Sequence, residues 1–147
     1  RPNATLGPIL HLSGDSDGQS WCIVFFGIRT DGVLITTFWT GSGLVLTGPN
    51  VTMSPAWTHL TQTWSETNGI RFYVNGTLVA SEPLVRVYSS SGRSNFITLA
   101  NSLTGRNLCY SGGLGLVTSP TLKCDIDDFR VYSRELSAAE IETIMGS

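Results

Sequence analysis

The chain has one lysine, Lys123, and nine lysines and arginines in all against eleven carboxylates, a formal net charge of −2. Nine scattered cations cannot form the basic stripe that nucleic acid or an anionic lipid surface demands, so neither is an expected partner. No apolar run approaches the ~20 residues of a membrane span. Histidine is almost absent. With only His11 and His59 to choose from, no Ser, His and acid arrangement has local support, and catalysis of that kind is not expected. Charged residues are also scarce, 14% against roughly 25% in an average soluble domain. Ser, Thr, Gly and Asn take their place, which suits an all-β chain with many turns. The 41% hydrophobic content over 147 residues is enough to enclose a core without metals or disulfides, and one domain over residues 1–147 is expected. The chain starts at Arg1 without a methionine, which reads as a processed or partial chain.

Cysteine is scarce and odd in number: Cys22, Cys109 and Cys124. In an oxidising compartment one pair should form. A Cys109–Cys124 bond would close a short loop and stabilise by about 3 kcal/mol on the chain-entropy view. Cys22–Cys109 is the rival pairing. Three N-x-[ST] triplets, at Asn3, Asn50 and Asn75, each fall on a predicted loop or turn and point to a secreted or extracellular glycoprotein. Asn75-Gly76 would make a good turn without any sugar.

The most ordered stretch runs from Trp57 to Ala80 and reads as a β-meander. Leu60, Gln62 and Trp64 alternate with His59, Thr61 and Thr63, so each set takes one face of a pleat. Asn68-Gly69 and Asn75-Gly76 tolerate positive φ and turn the chain twice. Between them Ile70, Phe72 and Val74 alternate with Arg71 and Tyr73. Further strands are expected at Ile9–Ser13, Trp21–Ile28, Val33–Trp39, Leu44–Leu46, Leu84–Tyr88, Phe96–Ala100 and Asp125–Ser133. Residues 101–123 form a long Gly- and Ser-rich excursion. Ser137 followed by Glu140 is a capping box. Leu136 and Ile141 supply its hydrophobic staple, and Ile141, Ile144 and Met145 give a short helix one apolar stripe.

The segment from Trp57 to Gly76 resembles the central meander of laminin-G-like and pentraxin-like domains, which are concanavalin A-like jelly rolls. D-I-D-D-F-R-V-Y-S-R-E-L-S-A-A-E-I, from Asp125 to Ile141, resembles the closing strand and short helix of the laminin-G-like group. Pentraxins carry a cysteine where this chain has Thr61, so the match is to the wider superfamily. The resemblance implies an all-β, two-sheet antiparallel jelly-roll sandwich with one short C-terminal helix. It also implies a non-enzymatic extracellular recognition or adhesion module, with a glycan or another extracellular protein as ligand. It gives His59 a structural position. Such domains usually open with an extra strand or two before the segment resembling Ile9–Ser13, where this chain has only eight residues. The alternative reading is therefore a structural subunit of an extracellular assembly, self-associating by strand exchange at an open sheet edge.

Three chemistries bear on that background. Glycosidases sharing the jelly roll carry closely spaced carboxylates on one strand. Here Asp125, Asp127 and Asp128 lack that spacing, and Asp127 is expected to point inward as a hydrogen-bonding group near the helix start. Calcium is possible at Asp15 and Asp17, two apart before Gly18, as in the first part of a Ca²⁺ loop; a polar turn is the plainer reading. Trp39, beside Thr40-Gly41-Ser42-Gly43, and Tyr110 in the long excursion are candidate platforms for a sugar ring. Trp21, Trp57 and Trp64 read as core residues. Gln62, on the core face, is expected to find a backbone partner.

Overall fold

The computed structural model describes residues 7–18, 21–51, 56–87, 92, 94–103 and 121–146. Eight strands precede one helix: β1 (Pro8–Ser13), β2 (Cys22–Ile28), β3 (Val33–Trp39), β4 (Gly43–Asn50), β5 (Leu60–Ser65), β6 (Gly69–Val74), β7 (Thr77–Glu82), β8 (Phe96–Leu99) and α1 (Ala138–Met145). They form two antiparallel sheets, a large one in the order β4-β3-β2-β1-β8 and a small one in the order β5-β6-β7. No described helix is long and apolar enough to cross a membrane.

The turn chemistry sets the connections. Asn75 and Gly76 both sit at positive φ (49° and 74°), the pair of left-handed residues that a tight hairpin with right-handed twist requires. Asn75 is further fixed by its side chain, whose Oδ1 accepts from the His59 amide at 2.8 Å. Gly69 stands at φ +68°, and a Cβ there would lie 2.2 Å from the Glu82 carbonyl oxygen. No other residue fits.

Period-two alternation then builds the core. Leu34, Phe38 and Leu46 from the large sheet meet Ile70, Phe72 and Val74 from β6, with Leu60 and Trp64 of β5 packed against them. Phe38 stacks on Trp64 with ring centroids 6.2 Å apart, and the Trp64 indole N–H donates to Val85 O at 3.0 Å. The other face of β6 is covered as well. Tyr73 packs under Leu136 and Ile141, so α1 lies on the outside of the small sheet. Its capping box is complete: the Glu140 amide donates to Ser137 Oγ at 3.3 Å, and the Ser137 amide donates to Glu140 Oε2 at 2.8 Å. A helix of two turns holds its shape through such a cap and its docking.

Five expectations need correction. Residues 84–87 are a turn and irregular chain, not a strand; Tyr88 lies outside the described residues. Asp125–Ser133 has strand composition but joins no ladder. Asp128 takes φ +54°, which breaks an extended run, and Asp127 is exposed instead of inward, accepting from the Asp128 amide at 2.8 Å. Trp57 and Trp21 are not core residues, being 68% and 39% exposed. Gln62 is paired with a side chain, the Thr36 hydroxyl of the opposite sheet.

Candidate functional site

A concave feature follows from the mismatch between the two sheets. Thr36 on β3 meets Gln62 on β5, and Phe38 on β3 stacks on Trp64 of β5. β5 therefore lies across from β3, and the inner faces of β1 and β8 extend beyond it. A cleft of about 1290 Å³ opens there. Its floor is core: Leu10, Phe26, Leu34 and Phe38 line it. One wall is β5 with Trp57, and the other is residues 122–134, a strap that runs over the opening.

The strap is held at both ends. Thr121 bridges Asn101, and the Leu122 amide donates to Ala100 O at 2.9 Å. At the far end Glu135 Oε2 accepts from Asn68 Nδ2 at 2.8 Å, and the Arg71 guanidinium lies 3.7 Å from its other oxygen. Burial works against ionisation of Glu135, but hydrogen bonds from Ser65 and Asn68 and the charge of Arg71 outweigh it and hold the carboxyl below its usual range. Between its anchors the strap turns Phe129, Val131 and Tyr132 to solvent. Arg130 pairs with Asp128 at 2.6 Å. Across the cleft, burial lowers the proton affinity of His59; the Asp128 charge opposes that effect and Arg130 adds to it.

A second cluster sits at one end of the large sheet. The ladder register places Ser13, Cys22, Trp39 and Gly43 together at that end. Trp39 is half-buried, edge-on to Trp21 with centroids 5.9 Å apart. Asp15 and Asp17 are exposed on the neighbouring turn. The Asp15 carbonyl accepts from Ser13 Oγ at 2.9 Å and from the Gly18 amide at 3.0 Å. Two carboxylates fall short of the six to eight oxygens that Ca²⁺ takes, and among the described residues no three His, Cys, Asp or Glu side chains converge to hold a metal. Tyr110 lies outside the described residues.

The remaining sites are placed as follows. Asn50 is exposed, with its Nδ2 donating to Asp31 O at 2.6 Å. Asn75 is exposed on its turn. Asn3 and Cys109 lie outside the described residues. Cys22 is disulfide-bonded and Cys124 carries a free, exposed thiol. That corrects the Cys109–Cys124 pairing: the bond is made at the start of β2 and not at residue 124. His11 is fully buried beside Thr98, ring Nδ1 to Oγ1 3.2 Å. Sequence reasoning missed Trp57 and the strap as site residues, because an aromatic or β-branched pattern looks the same whether it is packed or left exposed.

An all-β antiparallel sandwich with a capped C-terminal helix and an apolar cleft belongs with the concanavalin A-like jelly rolls. Residues 2–142 match the sequence profile of a family described as Laminin_G_3, concanavalin A-like lectin/glucanases superfamily. The chain belongs to that family. It is similar to the human adhesion G-protein coupled receptor D1, 33% identical over 87 residues, which is 59% of this chain and 9% of the receptor. The chain thus spans a small part of that relative. Among solved structures it is similar to a native heptameric SAP-like pentraxin from Limulus polyphemus, with TM-score 0.57 and 17% identity over 97% of this chain and 64% of that one. That likeness concerns the fold.

Proposed function

We propose that this chain is a non-enzymatic, extracellular recognition and adhesion module whose ligand is a protein, bound at the cleft between β5 and the strap. One observation carries the reading: the cleft floor is apolar core and one wall is a strand paired on a single side. Such a surface suits a polypeptide, with its own main-chain groups and apolar side chains, better than a glycan. The likeness to an adhesion receptor, the sequons at Asn3, Asn50 and Asn75, and the disulfide at Cys22 support an extracellular setting. With three cysteines in the chain and Cys124 free, Cys109 is the partner in the chain that remains for Cys22. Strand exchange in an extracellular assembly would use the same edge.

A second reading rests on the Trp21–Trp39 pair, an aromatic edge beside hydroxyl-rich turns that offers a sugar ring a stacking face. One experiment separates the two. The chain is panned against a phage-displayed random peptide library and, in parallel, screened on a glycan array. The protein reading expects enriched peptides whose binding falls with Val131→Asp and not with Trp39→Ala. Glycan binding lost with Trp39→Ala, and no Val131-dependent peptide, would overturn it.

A further inference from the structure

We propose that Asn75 carries an N-linked glycan and that Asn50, which has the same N-x-[ST] pattern, does not; this deepens, and rests on, the extracellular reading. The transfer joins Asn75 Nδ2 to the anomeric carbon of the first sugar. The bond from that carbon to the pyrophosphate of a lipid-linked oligosaccharide breaks, the pyrophosphate leaves with the electron pair, and Nδ2 gives up one proton. The fold then has to bear the group, and the two asparagines differ in whether it can.

Amide orientation is the first ground. The Asn75 backbone N–H donates to His59 O at 2.9 Å, and the His59 N–H donates to Asn75 Oδ1 at 2.8 Å. A backbone N–H can only donate, so the oxygen is the inward atom and Nδ2 is directed away from that contact. A sugar on this nitrogen leaves both bonds in place. Asn50 is turned the other way round. Its Nδ2 donates to Asp31 O at 2.6 Å, a carbonyl that can only accept, so here the nitrogen is the inward atom. The amide also lies against the turn, since a Cβ on Gly32 would stand 3.1 Å from both Nδ2 and Oδ1. A bulky substituent on that nitrogen meets the Asp31-Gly32 turn. The turn cannot draw back without losing a further bond, from the Val51 amide to Gly32 O at 2.9 Å.

Surroundings are the second ground. Asn75 is exposed on its hairpin turn, and Thr77, the hydroxyl residue of its triplet, is exposed at the start of β7. Apolar side chains stand beside them. Leu78, 47% exposed, pairs with Tyr73 across the ladder. Met145, 42% exposed, closes α1 over the same turn, where a Cβ on Gly76 would lie 3.5 Å from its methyl carbon. Two apolar side chains left in water are what a bulky, solubilising group shields.

The test is expression of the chain behind a secretion signal in cultured eukaryotic cells. The secreted protein is treated with peptide N-glycosidase F, which turns each glycan-bearing asparagine into aspartate, and its peptides are read by mass spectrometry. The expected result is a marked Asn75 and an unmarked Asn50. The mark at Asn75 should be lost in Thr77→Ala, which ends the triplet, and kept in Thr77→Ser, which preserves it. Neither change touches the bonds between Asn75 and His59, and the melting temperature of each variant reports its folding. An unmarked Asn75 in secreted, folded protein, or an Asn50 marked as fully as Asn75, would overturn the inference and leave the extracellular reading standing. Secreted protein whose Cys22 remains a free thiol would bring down the extracellular reading, and this inference with it.

Discussion

Thr36, on β3, is hydrogen-bonded through its hydroxyl to the side-chain amide of Gln62, on β5, and so joins the two sheets across an otherwise apolar core. The same hydroxyl lies 2.9 Å from Phe25 O, and Thr36 is fully buried. This contact fixes β5 opposite β3 and thereby sets where the cleft opens.

Thr36→Val should therefore cost about 1–3 kcal/mol, because it leaves the Gln62 amide half-buried without this partner. Thr36→Val with Gln62→Leu should recover most of the loss, since replacing both partners by apolar groups of similar shape is close to neutral. Urea denaturation of the two single variants and the double variant measures the coupling.

Ile141 is fully buried, packed in one cluster with Tyr73 and Leu136. Ile141→Ala should cost about 2–5 kcal/mol, the range for a large-to-small change in a packed site. The helix should fray first, so helical circular dichroism should fall ahead of the tryptophan fluorescence of the sandwich.

Acid should act on the helix cap. Arg134 binds both oxygens of Glu140, at 2.7 and 3.1 Å. That contact and the Ser137 amide and hydroxyl pull the Glu140 carboxyl down from 4.5 to about 2. A depressed folded-state value means the contribution is complete above the ordinary carboxylate range and is lost as pH falls through about 2. Wild type should lose stability over that window more steeply than Glu140→Gln, in melting curves taken from pH 5 downwards. Parallel acid limbs would contradict the pairing.

Two positive-φ glycines should differ sharply. Gly69→Ala adds a Cβ 2.2 Å from Glu82 O at φ +68°, whereas Gly92→Ala, at the same φ, meets nothing within 4 Å. The second should cost about 1–2 kcal/mol from left-handed strain alone. The first should cost clearly more or prevent the β6–β7 pairing, as thermal melts of both would report.

Much of this was legible beforehand, and what was not has a physical cause. The meander was readable because period-two alternation and two Asn-Gly turns act locally, on Ile70, Phe72 and Val74 and on residues 68–69 and 75–76. The cap was readable for the same reason, since Ser137 and Glu140 lie three residues apart. Asp125–Ser133 carries Phe129, Val131 and Tyr132, a strand composition, yet a strand exists only with a neighbour, and the position beside this one holds no described chain. Trp57 was misread as core because a tryptophan's burial depends on what lies opposite it. Trp39 kept its place at a strand end, but its partner, Trp21, is set by long-range register. Gln62 found a side chain across the sandwich, a contact 26 residues away in sequence.

Amide hydrogen exchange on the chain alone tests the central claim most directly: that β5 is paired on one side and open to the cleft on the other. The account predicts that alternate amides of Leu60–Ser65 exchange at least ~10-fold faster than those of Gly69–Val74, which lies between two neighbours. Uniformly slow exchange through both strands would show β5 already paired on its outer edge and would contradict the one-sided pairing.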